Sequence, residues 1–389
     1  MSPFNQPSPG TLPSQRELFE IPEGVTYLNC ANMSPQLRSV SAAGMDAVAV
    51  KKSPWELKPA DWFSGAEALR ALAAQVAGTT ADSIAIVPAA SYGIAVAAAN
   101  VAVERGQSIV LLDEEFPSNY YAWKELSRRR GAEIRLVKRG VEGTWTQALL
   151  GAIDAATAVV SVPNCHWTDG SLVDLEAVGE RARSVGAALV VDASQSLGAY
   201  PLDIERVRPD FLVCVGYKWL LCPYTISFLY AAPKWQREGR PIEYPWMTRA
   251  GSEDFSRLVD YKDDQYRPGA RRFDMGESSN FVLGPMAAAA LRQILEWGIA
   301  NIRRTLSALT ALISEEAERL GCRTIPAGGR VDHMTGIRLP KGLPAGLGER
   351  LAEEKVFVSI RGDAIRVSPH LYNGEEDVRK FFSALRKLI

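Results

Sequence analysis

Between residues 84 and 231, short apolar runs alternate with segments of helical periodicity. The apolar runs show little alternation of polar and apolar residues, which is typical of strands that are covered on both faces. Strand, helix and strand in succession imply crossover connections, so the pattern predicts an α/β fold with a mostly parallel, seven-stranded sheet sandwiched by helices. The predicted strands are IAIV (84–87), SIVLLD (108–113), EIRLV, AVVSV (158–162), ALVVD (188–192), FLVCVG (211–216) and TISFLYAA (225–232).

Helical patterns connect these runs and continue beyond them. Helices are predicted from about Ser91, over 121–130, and over DLEAVGERARSVG. Residues 240–280, rich in Arg, Asp, Tyr and Gly, interrupt the rhythm and predict an excursion of loops. One long helix is then predicted from about Pro285 to Leu320. After it, TGIRL, KVFVSI, AIRVSP and a last amphipathic helix predict a small C-terminal α/β domain.

These patterns also predict the domain organisation. The polar, proline-rich start of the chain predicts an N-terminal arm over residues 1–20. Residues 21–285 are predicted to form a large ligand-binding domain. Residues 286–389 then contain the long helix and the small domain, to which residues 21–50 can contribute.

Composition and charge exclude several classes of protein. The net charge of −1 provides no basic field for nucleic acid or an anionic membrane. The uncharged run 83–103 is long enough to cross a bilayer, but its Pro88, Gly93 and Asn100 favour a buried strand followed by a buried helix. The first fifteen residues lack the basic and apolar regions of a signal peptide. Five cysteines without a C-x-x-C pair indicate neither disulfides nor a metal site, and favour a cytoplasmic enzyme with reduced thiols.

Candidate chemistry lies where the predicted strands end, because open α/β sheets bind ligands beyond the carboxyl ends of their strands. Lys218 directly follows an apolar strand, where a buried ammonium is costly unless it is neutralised or paired. An amine of lowered pKa is suited to a Schiff base, whereas a snorkelling lysine at a strand end is the structural alternative. Asp192, twenty-six positions earlier, ends the preceding strand and could keep a pyridinium nitrogen protonated.

These two residues lie in motifs that resemble a known family. VVDASQSLG followed by FLVCVGYKWLL resembles the class V aminotransferase group of fold-type I pyridoxal-phosphate enzymes, which includes cysteine desulfurases, kynureninases and isopenicillin N epimerase-like proteins. The likeness extends from YLNCANMSP (27–35) to AIRVSPHLYN (364–373). It implies pyridoxal 5′-phosphate as cofactor, a small amino acid as substrate and a homodimer with shared active sites.

The resemblance further implies roles for individual residues. Lys218 matches the Schiff-base lysine, Asp192 the partner of the ring nitrogen, and Arg366 the arginine that clamps the substrate carboxylate. Other matches are ring stacking by Phe116, contacts to the ring hydroxyl from Gln195 and Asn164, and phosphate contacts from Ala90, Ser91 and Tyr217. GESSN (276–280), with Ser278 and Ser279, matches the segment that reaches the phosphate of the neighbouring subunit. Asn32 and Trp167 are candidates for substrate binding, and His166 for general acid–base catalysis.

Structural alternatives remain for several of these residues. Phe116 could belong to the core, Ser91 could cap a helix, and Arg366 could form a structural ion pair. Asn164 could be a turn residue, and Gln195 could be structural. His166 could be a packed or hydrogen-bonded histidine, and GESSN an ordinary loop.

The sequence departs from the cysteine desulfurases in the small domain. Those enzymes carry a nucleophilic cysteine on a loop before the carboxylate-binding arginine, but VSIRGDAIRVSP (358–369) has none and Cys322 lies far earlier. Many desulfurases also have His directly before the Schiff-base lysine, where this chain has Tyr217. Cys165, beside a candidate site residue, is interpreted as a small buried hydrophobe. These differences disfavour a persulfide-forming reaction.

The reaction itself stays open at this level. Transamination is the leading interpretation, and the alternatives are a C–S or C–C lyase and an epimerase. A catalytically inactive binding protein is disfavoured by the intact set of Asp192, Lys218 and Arg366. A nicotinamide-dependent oxidoreductase is disfavoured because no G-x-G-x-x-G follows a predicted strand.

Overall fold

The computed structural model describes residues 10–140, 143–262 and 264–389. Its strands are β1 (Thr26–Tyr27), β2 (Ile84–Val87), β3 (Ser108–Leu112), β4 (Glu133–Val137), β5 (Thr157–Pro163), β6 (Ala188–Asp192), β7 (Phe211–Val215), β8 (Ser227–Ala231), β9 (Thr335–Ile337), β10 (Val356–Phe357), β11 (Ser359–Arg361) and β12 (Ala364–Val367). Its helices are α1 (Arg38–Val48), α2 (Asp61–Ala77), α3 (Ala90–Asn100), α4 (Pro117–Arg130), α5 (Trp145–Ala152), α6 (Leu175–Ser184), α7 (Ile204–Val207), α8 (Pro233–Glu238), α9 (Leu283–Trp297), α10 (Ile299–Arg319), α11 (Leu347–Glu353) and α12 (Glu375–Leu388).

The central sheet has seven strands in the order β2-β8-β7-β6-β5-β3-β4. The strands from β7 to β4 are paired in parallel, whereas β8 runs antiparallel to both β2 and β7. Strands β2, β3, β5, β7 and β8 are buried along their whole length, because apolar clusters cover both faces of the sheet. The predicted mostly parallel α/β sheet is therefore confirmed.

The turn after β7 directs the chain from the sheet toward Lys218. A side chain at Gly216 would place its Cβ 2.4 Å from the carbonyl oxygen of Ile226, so only glycine allows the two segments to approach this closely. The amide of Gly216 donates to the same carbonyl oxygen. This close pairing fixes where Tyr217 and Lys218 leave the edge of the sheet.

The small C-terminal domain combines residues from both ends of the chain. A three-stranded antiparallel sheet, in the order β11-β12-β9, packs with α10, α11 and α12 around a separate apolar cluster. Strand β1 pairs in parallel with β10, and Leu28 lies in the same cluster. Residues 1–9 of the predicted arm lie outside the described residues. Two hydrogen bonds attach the start of the described chain to α10, because the amides of Gly10 and Leu12 donate to the side-chain oxygens of Asn301 and Thr305.

The helix predicted from Pro285 to Leu320 is in fact two helices, α9 and α10. Gly298 separates them with a φ of 75°, a left-handed conformation that a residue with a side chain rarely adopts. Apolar periodicity continues on both sides of this glycine, which is why the pattern resembled one helix. The predicted excursion at 240–280 contains short 3₁₀ turns in its described part.

The uncharged run 83–103 forms β2 and α3, as predicted. Strand β2 is fully buried, and α3 packs on β7 and β8 with part of its surface exposed. Among the described residues, no helix combines the length and the apolar character that crossing a membrane would require.

Candidate active site

A pocket opens at the carboxyl ends of the parallel strands. Its walls come from the segments that follow β2, β3, β5, β6 and β7, as expected for an open α/β sheet. The structure therefore gathers residues that are far apart in the sequence. Seven of the predicted site residues line this one pocket: Ala90, Phe116, Trp167, Asp192, Gln195, Tyr217 and Lys218.

The amine of Lys218 is buried inside this pocket. Its Nζ lies 5.4 Å from the ring centroid of Phe116 and 5.8 Å from that of Tyr217. Burial lowers the pKa of Lys218 from 10.5 to about 8, while the charge of Asp192 opposes this shift and that of Arg366 adds to it. A larger fraction of this amine than of an ordinary lysine is therefore unprotonated near neutral pH, and the unprotonated form is the one that attacks a carbonyl.

This lowered pKa predicts how the protein takes up a carbonyl compound at Lys218. Below the pKa, the rate of pyridoxal-phosphate uptake by apo protein should rise by roughly tenfold per pH unit, because only the neutral amine attacks. The rate should become constant above the lowered pKa of about 8. Stopped-flow absorbance across a pH series measures this profile. A rate that still rises up to pH 10.5, the ordinary value for lysine, would contradict it.

Asp192 ends β6 at the base of the pocket, and its carboxylate is positioned by the following turn. Oδ1 accepts a hydrogen bond of 2.9 Å from the amide of Ser194. The hydroxyl of Ser194 in turn accepts from the amide of Val215, at the end of β7. Adjacent strands thus hold Asp192 and the segment that carries Lys218 in one arrangement.

Gln195 lines the pocket, but its side chain also connects three segments of the chain. Its Nε2 donates to the carbonyl oxygen of Ala31 at 3.0 Å, and its Oε1 accepts from the indole of Trp219 at 3.0 Å. The structural alternative for Gln195 is therefore realised in these contacts. A cofactor contact would have to use the remaining N–H of the same amide.

Phe116 and Trp167 form an aromatic wall beside Lys218. Their rings meet edge to face, with centroids 5.5 Å apart, and the indole of Trp167 donates to the carbonyl oxygen of Glu114. Arg366 in the small domain reaches this wall, since its Nη1 donates to the carbonyl oxygen of Trp167 at 2.8 Å. The structure thus brings the predicted substrate residues Trp167 and Arg366 into contact in the wall of the pocket.

Asn164 follows β5 and is buried close to the pocket. Its backbone carbonyl accepts from Val173, but its side-chain Oδ1 has no hydrogen-bond partner among the described residues. A buried amide oxygen without a partner is costly. This oxygen therefore provides an acceptor for a ligand group that carries a hydroxyl.

The structure does not bring His166 into the lining of the pocket. Its Nδ1 lies 2.7 Å from the hydroxyl of Thr168, and its Nε2 lies 3.2 Å from the carbonyl oxygen of Asp113. The imidazole stacks on Trp145 with a centroid distance of 5.0 Å, and burial lowers its pKa. His166 thus has the packed, hydrogen-bonded position that was the alternative to an acid–base role.

Four further predicted residues lie outside this lining in the part of the chain that is described. Ser91 is exposed in the first turn of α3, whose N-cap is Ala89, so Ser91 does not cap that helix. Asn32 is exposed, and its Oδ1 lies 3.4 Å from Nη2 of Arg361. Ser278 and Ser279 are buried in the segment before α9.

Glu115 is a pocket residue that the sequence did not indicate. Its Oε1 accepts from the amide of Phe116 at 2.7 Å, and its buried Oε2 has no partner in the described part of the chain. Burial raises the pKa of Glu115 to about 8, and the charge of Asp192 contributes to the increase. In the sequence Glu115 resembles an exposed loop residue. The one signal available was its position in the segment after β3, directly before Phe116.

Cys165 also lines the pocket, and its thiol lies 3.5 Å from the carbonyl oxygen of Gln195. Burial raises its pKa, so the sulfur is a neutral thiol rather than a nucleophilic thiolate. All five cysteines are buried as free thiols. Among the described residues, no group of His, Cys, Asp or Glu is arranged to hold a metal ion.

Comparisons with known proteins agree on the family and the fold that this chain resembles. A family model described as "Aminotransferase class-V" matches residues 60–381. The chain is 28% identical over 375 residues to the uncharacterized aminotransferase YcbU of Bacillus subtilis (strain 168), which covers 95% of this chain and 96% of that protein. It is 26% identical over 317 residues to the isopenicillin N epimerase of Streptomyces clavuligerus, with 75% and 76% covered. A solved cysteine desulfurase from Thermococcus onnurineus NA1 has the same fold, with a TM-score of 0.84, 20% identity, and 98% of this chain and 99% of that chain covered.

Proposed function

We propose that this chain, which belongs to the class V aminotransferases, is a pyridoxal-phosphate enzyme that transfers the amino group of a small amino acid. One observation carries this proposal. Lys218 and Asp192 line the same pocket, and Arg366 of the small domain is bonded to Trp167 in the wall of that pocket. An amine, an acid and a carboxylate-binding guanidinium are the groups that this chemistry requires.

The residues present fit pyridoxal phosphate. The buried amine of Lys218 has the lowered pKa that a Schiff base needs, and the unpartnered Oδ1 of Asn164 can accept from a ring hydroxyl. Phe116 offers an aromatic face, Asp192 an acid for the ring nitrogen, and the start of α3 at Ala90 offers backbone N–H groups for a phosphate. When bound, the cofactor supplies an electron sink that weakens the bonds at the Cα of an amino acid.

The protein residues then divide the remaining tasks. Arg366 holds the substrate carboxylate with its planar guanidinium, because its Nε has no partner among the described residues and its charge is buried. With the cofactor bound, the neutral amine of Lys218 would take the proton from the Cα of the substrate and would hold it for return to the substrate or cofactor. Trp167 and Phe116 exclude water from the side of the pocket on which the substrate reacts.

The quaternary arrangement and location are part of the proposal. The homodimer rests on the resemblance of 276–280 to a segment that reaches the phosphate of a neighbouring subunit; in this segment Glu277 is exposed, whereas Ser278 and Ser279 are buried in their own chain. Five free thiols suit a reducing compartment, so we place the enzyme in the cytoplasm.

Trapping the cofactor on the protein tests this function. Purified protein loaded with pyridoxal phosphate should show a visible absorption band, and borohydride should remove that band. Peptide mass analysis should then find the reduced cofactor on Lys218. Cofactor attached to a different lysine, or no attachment, would refute the assignment.

Product analysis then identifies the reaction class. Mass analysis after incubation with one amino acid as donor and one oxo acid as acceptor should find the oxo acid of the donor and the amino acid formed from the acceptor. Sulfide, ammonia or alanine would instead indicate a lyase, and inverted stereochemistry at Cα an epimerase. Spectral silence toward every amino acid would leave a binding protein.

A further inference from the structure

Two arginines share one face of the hairpin formed by β11 and β12. The register places Ser359 opposite Arg366, and Arg361 lies two positions after Ser359 on the same strand. Side chains two positions apart on a strand point to the same face. The hydroxyl of Ser359 lies 3.5 Å from Nη2 of Arg366, so this is the face that Arg366 uses. Arg361 and Arg366 are therefore diagonal neighbours, with backbone positions roughly 7–8 Å apart.

Both arginines contact the same wall of the pocket. Arg366 donates to the backbone carbonyl of Trp167, and the guanidinium of Arg361 lies 5.6 Å from the indole centroid of Trp167. Their depths differ, because Arg366 is only 1% exposed whereas Arg361 is half-buried beside the exposed Asn32. The two guanidinium groups thus mark an inner and an outer position along one wall.

Among the described residues, no acid compensates either charge. In the described part of the chain, the side chain of Arg361 donates to two neutral oxygens, the carbonyl of Ile360 and the amide oxygen of Asn32. The Nε atoms of Arg361 and Arg366 both lack a hydrogen-bond partner there. Burial lowers the pKa of Arg366 to about 9, and the charge of Arg361 adds to this effect. The pair therefore forms a positive site that an anionic ligand would stabilise.

A third arginine of the same small sheet shows what a structural arginine looks like here. Arg338 donates to Asp169 at 2.9 Å and to Asp363 at 3.0 Å. Its fork is thus occupied by carboxylates of the protein itself. Arg361 lies on the same hairpin as Asp363 but is not paired with it, and it turns toward the pocket wall instead.

We propose that Arg361 binds a second carboxylate, on the side chain of the substrate, so that the enzyme acts on dicarboxylic amino acids. This inference rests on the proposed function, in which Arg366 holds the α-carboxylate. The outer position of Arg361 suits a side-chain acid that extends from the reacting carbon toward the mouth of the pocket. One carboxylate bound deep at Arg366 would leave Arg361 uncompensated, whereas a dicarboxylic substrate satisfies both.

The test compares acids with their isosteric amides. L-glutamate with L-glutamine, and L-aspartate with L-asparagine, differ in the side-chain charge and hardly in shape. The holoenzyme should prefer at least one acid over its amide in kcat/KM. Arg361→Gln should raise KM for that acid by about tenfold or more, as expected when a charge-assisted hydrogen bond is lost, and should change KM for the amide far less, because the neutral amide makes no charge-assisted bond. Arg323→Gln, which removes an exposed arginine of the same domain, should alter neither value.

Several outcomes would overturn the proposal. Equal increases in KM for acid and amide would mean that Arg361 assists the α-carboxylate, and no increase would mean that it binds no substrate. Arg361→Lys is a second variant that retains the charge but not the fork, and it should recover part of the preference for the acid. If Arg361→Gln does not fold, the lysine variant is compared directly with wild-type protein. The same ratio of KM for the acid to KM for the amide in both proteins would refute a contact between the guanidinium fork of Arg361 and the side-chain carboxylate.

A binding measurement separates this inference from the proposed function. Glutarate and succinate carry two carboxylates and no amine, and they should raise the melting temperature of wild-type protein more than butyrate does. Arg361→Gln should abolish that difference. If borohydride trapping at Lys218 fails while this binding persists, the proposed function is wrong and the dicarboxylate site stands. If trapping succeeds and glutarate behaves like butyrate, only the dicarboxylate site is refuted.

Discussion

Replacing Lys218 with alanine is expected to lower turnover by about 1,000-fold, within the range that a lost general acid–base group produces. The variant also loses the amine that would carry the cofactor, so borohydride should no longer attach pyridoxal phosphate to this peptide. Assays of turnover with saturating cofactor, together with mass analysis, measure both effects. The effect is large because no other lysine lines the pocket within the described residues.

The stability of the same variant separates chemistry from structure. Burying an ammonium destabilises a folded protein, so Lys218→Ala should melt at the same temperature as wild-type protein or higher. Lys341→Ala, which changes an exposed lysine far along the chain, should keep full turnover. Turnover within tenfold of wild type in Lys218→Ala would show that Lys218 does not perform the reaction.

The second large effect is expected at Asp274, which neutralises a buried arginine. Arg70 is fully buried and donates to both carboxylate oxygens of Asp274, at 3.0 and 2.6 Å. Asp274 also accepts from the amide of Ile86 in β2. Asp274→Ala leaves a buried guanidinium without its main partner, which should lower the free energy of unfolding by about 3–5 kcal/mol. Urea denaturation of the two proteins measures this difference.

Two control variants identify the cause of that loss. Glu125→Ala removes exposed ion pairs to Arg128 and Arg129 and should hardly change the urea midpoint, because exposed pairs are screened. The double variant Arg70→Met with Asp274→Leu removes both buried charges and should regain most of the stability. If the urea midpoint of Asp274→Ala equals that of wild-type protein, the buried pair of Arg70 and Asp274 does not stabilise the fold.

Much of the fold was predictable because buried strands have a strong local signal. Each apolar run named in the sequence contains a strand of the central sheet, and the resemblance to class V aminotransferases is confirmed by the family match. Helices α1, α2, α5, α7 and α8 were not predicted. In α2, alanine and glycine weaken the contrast between the apolar and polar faces. The break at Gly298 was missed because a glycine within a helical pattern does not reveal its φ.

Part of the candidate site was predictable, because residues that directly follow neighbouring parallel strands lie close to one another. That rule brought Lys218, Asp192 and Phe116 to one pocket. It does not tell which way a side chain turns, and His166 turns toward Trp145 and Asp113 instead. Glu115 was missed because a charged residue after a strand usually faces water. Its burial depends on how the neighbouring segments pack, which is not encoded locally.

The parallel pairing of β1 with β10 has a consequence for synthesis of the chain. Thr26 pairs with Val356, and Asn29 bridges to Ser368, so β1 finds its partner only after all of the residues between the two strands have been translated. Until then Leu28 and its neighbours lack the apolar surface that covers them in the finished protein. The hairpin with Arg361 and Arg366 follows β10 directly. Nascent chains on the ribosome should therefore complete the large sheet first, and form the proposed carboxylate site only after the hairpin of β11 and β12 has emerged.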